Sequence, residues 1–200
     1  SRELAVELDN ACDAIGVQFL DAPVSGGQAG AENGVLTVMA GGEQDHFDRV
    51  EPIMRSYAKH VQLMGDVGSG QTTKMVNQLA IAGILGGLSE ALHFAECAGL
   101  DIDEVTRAIQ GGAAQSWQMN NRSTTMAKRE YDFGFAIDWM RKDLGFALDV
   151  ANRLGLHLPI ATLVDSQYAN VQENGGGRWD TSGLIEQLRH RGEKVAASRE

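Results

Sequence analysis

The run GQTTKMVNQ places Lys74 shortly after Gly70 and follows it with two amides, Asn77 and Gln78, three and four residues on. On a helix those offsets share one face, so an amine and two amides point the same way. An amine so placed can give or take a proton when burial or a second cation pulls its pKa down, and either amide can orient the oxygen it protonates. Leu79, Ile81 and Ile84 come next and offer apolar surface that would keep the face dry. A cation near a helix start is disfavoured unless an anion is close; a bound carboxylate would supply one. The stretch DAPVSGGQAG offers a place for it. Pro23 ends a strand, and Ser25, Gly26 and Gly27 leave several backbone N–H groups and a hydroxyl without evident partners. Such a loop suits a carboxylate, and it equally describes an ordinary surface turn.

Other candidates carry less. GDVGSGQTT lies between a strand and a helix, as a dinucleotide-binding turn does. Thr73, however, stands where that turn needs glycine or alanine, and no strand returns after the helix. Its glycines read as a tight turn. Asp101, Asp103 and Glu104 are helix-start caps. His93 reads as a satisfied core histidine, Arg122 as an exposed helical arginine, and Trp139-Met140 as core. Cys12 and Cys97 form no disulfide framework, and no cysteine–histidine pair has metal-ligand spacing.

The elements that must position these residues change character along the chain. Residues 2–15 read as an amphipathic helix with Leu4, Val6, Leu8 and Ile15, and VQFLDAPV as a strand. SGGQAGAENG reads as a glycine-rich loop, VLTVMAGG as a strand, EQDHFDRVEPIMRSYA as a helix and HVQLMGD as a third strand. After Gly65 the strands stop. A long helix is expected from Gly70 to Ala98, then helices over IDEVTRAIQ, SWQMNNRSTTMAKRE and AIDWMRKDLGFALDVANRLG, with YDFGF a loop. Another starts at Pro159, GGGRWDTSG is a loop, and LIEQLRHRGEKVAA is a final helix with a frayed polar tail. The expected fold is an α/β remnant over residues 1–66, followed by an all-α domain over 67–200 entered through the long helix.

With 200 residues, 43% of them hydrophobic, the chain can bury one sizeable core or two small ones. A net charge of −10 argues against nucleic acid or an anionic membrane as partner. The longest apolar run, Leu79 to Leu88, is too short to span a bilayer. A polar start and two cysteines make the cytoplasm the default location.

Taken together and in this order, DAPVSGG, GSGQTTKMVNQ and WMRKDLGFALD resemble the β-hydroxyacid dehydrogenase family, over about Val17 to Leu188. The resemblance implies the C-terminal part of an NAD- or NADP-binding Rossmann domain, then an all-α domain used for substrate binding and for dimer or tetramer formation. It implies hydride transfer between NAD(P) and a small β-hydroxy acid or semialdehyde. Lys74 then matches the catalytic lysine. Ser25, Gly26 and Gly27 match the loop that takes the substrate's acid end. Asn77 matches the substrate amide, with Gln78 where relatives carry a second asparagine. Trp117 matches an aromatic of the substrate pocket, Lys142 a lysine against the cofactor, and Phe135 and Asp143 the nicotinamide side. The family's GxGxxG turn is not in these residues, which implies a fragment or a truncated relative, inactive by itself. The alternative is a non-catalytic dimerisation or ligand-binding module.

Overall fold

A computed structural model describes residues 1–190. Its order is α1 (Arg2–Asp13), β1 (Val24–Ser25), α2 (Gly27–Glu32), β2 (Leu36–Ala40), α3 (Gln44–Met54), β3 (Ala58–Leu63), α4 (Ser69–Cys97), α5 (Ile102–Ile109), α6 (Trp117–Ala127), α7 (Ile137–Arg153) and α8 (Pro159–Glu173). A 3-10 turn over Thr181–Ile185 leads into helical residues 186–190. The remainder of the expected final helix lies outside the described residues. Packing divides the chain inside α4 into two compact units, Ser1–Gln78 and Leu79–Glu200.

In the first unit the sheet order is β1-β2-β3, with β2 parallel to β3 and β1 antiparallel to β2. Leu36, Val38 and Ala40 of β2 pack with Phe47 and Met54 of α3 and with Ala58, so the alternation of β2 and the stripe of α3 meet in one core. Two expectations change here. The strand expected over VQFLDAPV shrinks to Val24–Ser25 plus one bridge between Asp21 and Gly41, because Pro23 offers β2 only its carbonyl, to Met39 N at 3.0 Å. The expected loop SGGQAGAENG contains the helix α2, whose Gln28 and Glu32 bond across one turn at 2.7 Å. On α1 the apolar residues do not form a buried stripe: Leu4, Val6 and Leu8 are exposed, as is Ile15 just past its end, and only Ala5 is buried.

The start of α4 is the most constrained point of this unit. The Asp21 carboxylate, 4% exposed, accepts the N–H of Gly68 at 2.6 Å and of Gln71 at 2.7 Å. An anion against the first turn satisfies orphan donors and complements the helix dipole. An anion at this helix start is thus supplied by the chain itself, apart from any ligand at Ser25-Gly26-Gly27. Gly41 and Gly70 admit the approach, since a side chain on Gly70 would run into Met39 O and the Asp21 carboxylate, and one on Gly41 into the same carboxylate.

From Leu79 on, α4 is the spine of the second unit. Ala82 and Leu85 pack with Ile137, Met140 and Leu144 of α7 and with Val164, Tyr168 and Val171 of α8. Leu88 and Leu92 pack with Ile102, Met119, Met126 and Tyr131. At 29 residues it is long enough to cross a bilayer, and an 18-residue window of it is apolar enough, with a mean hydropathy of 1.3, although the longest uninterrupted apolar run is too short. The buried stripe is that of a core helix. Arg141 clamps α7 to α8 through Asp165 at 3.0 Å and Gln172 at 2.5 Å. At the far end of α4, Glu96 pairs with buried Arg189, which also bonds Glu186 at 2.6 Å and Met126 O at 3.1 Å. Burial pushes the Glu96 carboxyl up, but the hydrogen bond and charge of Arg189, helped by His93, leave it below its ordinary value.

Asp21→Ala is expected to cost about 3 kcal/mol, because two hydrogen bonds to a charged acceptor and a helix cap go together; urea unfolding measures it. The Glu96 contribution is complete above the ordinary glutamate value of 4.5 and is lost as pH falls through the lower folded value. Melting temperature followed against pH is therefore expected to fall less steeply on the acid side in Glu96→Gln than in the parent.

Candidate functional site

The first unit carries six of the residues singled out by sequence. Ser25 closes β1, Gly26 caps α2 and Gly27 opens it. The same segment is tied to α4 four residues upstream, through Asp21. One turn into α4, Lys74 is half-buried, Asn77 is half-buried and Gln78 is 2% exposed. Asn77 Nδ2 donates to Gln78 Oε1 at 2.9 Å. The two amides are therefore not equivalent. Gln78 is buried and accepts from Asn77, whose side chain is only part-buried. Of the apolar followers, Leu79 and Ile81 pack against the core of the second unit, and Ile84 remains exposed.

The second unit carries the other four. Lys142, about half-exposed, lies 3.1 Å from Asp143 and within 5.6 Å and 5.9 Å of the Trp139 and Phe146 ring centres. Arg178 lies over the same indole, 5.8 Å from its centre. Trp139 is 48% exposed, so it is not the core residue its helical spacing suggested, whereas Met140 is fully buried. An exposed indole and phenyl ring beside two cations is a surface that an aromatic, anionic ligand can use. Phe135 is half-buried in the connector between α6 and α7, with its N–H bonded to Asp180 Oδ2 at 3.0 Å. Trp117, at the start of α6, is 57% exposed.

Arg122 departs from the sequence expectation. Its guanidinium lies 4.8 Å from the centres of both the Trp117 and Phe133 rings, and Nε donates to Asp180 at 3.1 Å. It is a stacked and paired group rather than an exposed one. Asp21 and Asp180 were absent from the sequence candidates. A lone acidic residue two positions before a proline or next to a tryptophan carries no periodic signal, and each finds its donors 45 to 58 residues away or in its own turn. His93 is half-buried, with Nδ1 3.4 Å from Glu96. Among the described residues no cluster of histidine, cysteine and carboxylate side chains could hold a metal ion.

Two family models match in tandem. The NAD-binding domain of 6-phosphogluconate dehydrogenase covers residues 1–65, and the NAD-binding domain of NADP-dependent 3-hydroxyisobutyrate dehydrogenase covers residues 68–188. An uncharacterized oxidoreductase of Shewanella frigidimarina (strain NCIMB 400) is 59% identical over 188 residues, 94% of this chain and 65% of that protein. The 2-hydroxy-3-oxopropionate reductase of Escherichia coli (strain K12) is 40% identical over 174 residues, 87% of this chain and 60% of that protein. A crystal structure of 3-hydroxyisobutyrate dehydrogenase from Salmonella typhimurium superposes with a TM-score of 0.84 at 34% identity, covering 93% of this chain and 66% of that one. The chain thus spans less than two thirds of the length of each of these three relatives.

Proposed function

Because this chain belongs to the β-hydroxyacid dehydrogenase family, we propose that it serves hydride transfer between NAD or NADP and a small β-hydroxy acid or semialdehyde, with Lys74 as general acid/base. The observation that carries the reading is the α4 face on which Lys74 stands one turn before a part-buried amide, Asn77, braced by a buried one, Gln78. A braced amide holds an oxygen in one place, which is what proton transfer at a fixed atom requires.

In this reading Ser25, Gly26 and Gly27 take the substrate's carboxylate and Asn77 orients its hydroxyl. The Lys74 amine takes the hydroxyl proton during oxidation and returns it to the developing alkoxide during reduction. Trp117 lines the substrate pocket, and Phe135 and Asp143 lie toward the nicotinamide. The cation–aromatic patch of Lys142, Trp139 and Phe146 fits a ligand with rings and negative charge. When bound, NAD(P) supplies the hydride acceptor or donor. Residues 1–200 contain no GxGxxG turn, so by themselves they hold the cofactor weakly and are inactive. We assign residues 1–66 to the end of the nucleotide domain and 67–200 to a substrate and dimerisation domain. Phe94, Leu154, Ile160 and Leu163, each more than half-exposed, suit pairing with a second copy.

Lys74→Ala, made in the protein expressed from its complete coding frame, is expected to lower kcat about 1,000-fold with its circular dichroism unchanged; near-normal turnover would remove Lys74 from the chemistry. For the amide pair, Asn77→Ala is expected to reduce kcat/KM more than Gln78→Leu does, and the double variant to be no worse than Asn77→Ala alone. Steady-state kinetics on the three proteins decide this, because additive losses would mean that Gln78 acts independently of Asn77.

A further inference from the structure

The connector between α6 and α7, residues 128–136, has no regular structure, yet it carries Phe133 and Phe135. Its backbone is held from one side by residues 179–181. Asp180 N donates to Tyr131 O at 2.9 Å, Thr181 N to Phe135 O at 2.9 Å, and Ile137 N to Trp179 O at 2.9 Å. At the centre is the Asp180 carboxylate. The residue is 1% exposed, and the carboxylate accepts four hydrogen bonds: Phe135 N at 3.0 Å, Ser182 N at 3.0 Å, Ser182 Oγ at 2.6 Å and Arg122 Nε at 3.1 Å. A buried carboxylate so fully bonded is a rigid point.

Gly134 shows how close the packing is. At φ 71° it takes a conformation other residues resist, and a Cβ there would enter the Asp180 carboxylate and come within 3.1 Å of Arg122 Nη2. Arg122 then extends the anchor outward. Its guanidinium lies 4.8 Å from the centres of both the Trp117 and Phe133 rings, residues 57% and 38% exposed. Exposed aromatic side chains are normally free to change rotamer. These two share one planar cation, whose own orientation is set by a buried carboxylate.

We propose that Arg122 and Asp180 form a positioning pair that fixes the substrate-side Trp117 and the cofactor-side Phe135 relative to each other. The inference rests on the dehydrogenase reading for what those two residues face, and on the geometry alone for how they are held. Neither Arg122 nor Asp180 touches a reacting atom in this scheme. Lysine could replace the charge of Arg122 but not its planar group over two rings or the Nε donor. Leucine at position 133 would remove one of the two rings from a partly exposed site, leaving the buried carboxylate and its donors in place.

The test is made on the protein from its complete coding frame, with Arg122→Lys and Phe133→Leu. In both, kcat/KM for the hydroxy acid is expected to fall about tenfold, carried mainly by KM. Phe133→Leu is expected to keep the parent's melting temperature, which separates loss of positioning from loss of fold. Hydrogen exchange at the Phe135 amide is expected to quicken at least severalfold in Arg122→Lys, while amides of the α7 core turn around Leu144 hold their rates. Unchanged exchange at Phe135 would overturn the anchor whatever the kinetics. Faster exchange with parental KM and kcat would overturn the positioning role while leaving the assignment of Lys74 intact. A parent protein that turns over no small β-hydroxy acid would sink the dehydrogenase reading, and this role with it.

Discussion

A carboxylate buried against the first turn of α4 governs the first unit. Asp21 cannot lose its water without gaining donors, and the donors available are the N–H groups of Gly68 and Gln71. Meeting them draws the chain ahead of Ser25-Gly26-Gly27 onto the helix that bears Lys74. It also requires two backbones to approach so closely that positions 41 and 70 have no room for a side chain. The candidate acid-binding segment and the candidate proton-transfer helix thus share an anchor. Neither could shift without breaking it.

The second unit uses the same device at Asp180. There the carboxylate serves an irregular connector as well as the turn that follows it, and it recruits a cation besides backbone donors. In both units an acidic side chain does for irregular backbone what a ladder of hydrogen bonds does for a strand. This explains how residues on loops, such as Phe135, can hold a defined place without belonging to a helix or sheet. Away from these points the packing is ordinary: α4, α7 and α8 bury aliphatic stripes, and the Arg141 and Arg189 clusters tie their ends.

Much of this was legible from residue patterns. The helical patterns of α4, α7 and α8 and the cap Asp101 mark helices that the structure contains. The joint occurrence of three motifs identified the family before any geometry was known. Errors fell where local pattern was ambiguous. Alternating apolar residues suggested a strand before Pro23, but pairing needs a partner with free donors, and only one bridge and a two-residue strand formed. Glycines suggested a loop at 25–34, where the glutamine, alanine and glutamate between them favour a helical turn. Helical spacing suggested a buried Trp139, but spacing names a face without saying whether another element covers it.

What the sequence alone determined was the order of elements, the change from α/β to all-α, and the grouping of Lys74, Asn77 and Gln78 on one helical turn. These follow from the 3.6-residue period and from propensities that act over a few residues. Only the tertiary structure decided that Gln78 is buried and Asn77 half-buried, that Arg122 is stacked rather than solvated, and that Asp21 and Asp180 are the anchors. Each of those outcomes depends on which distant surface, or which donor dozens of residues away, arrives beside the side chain. Desolvation then sets the result, and no local period records it.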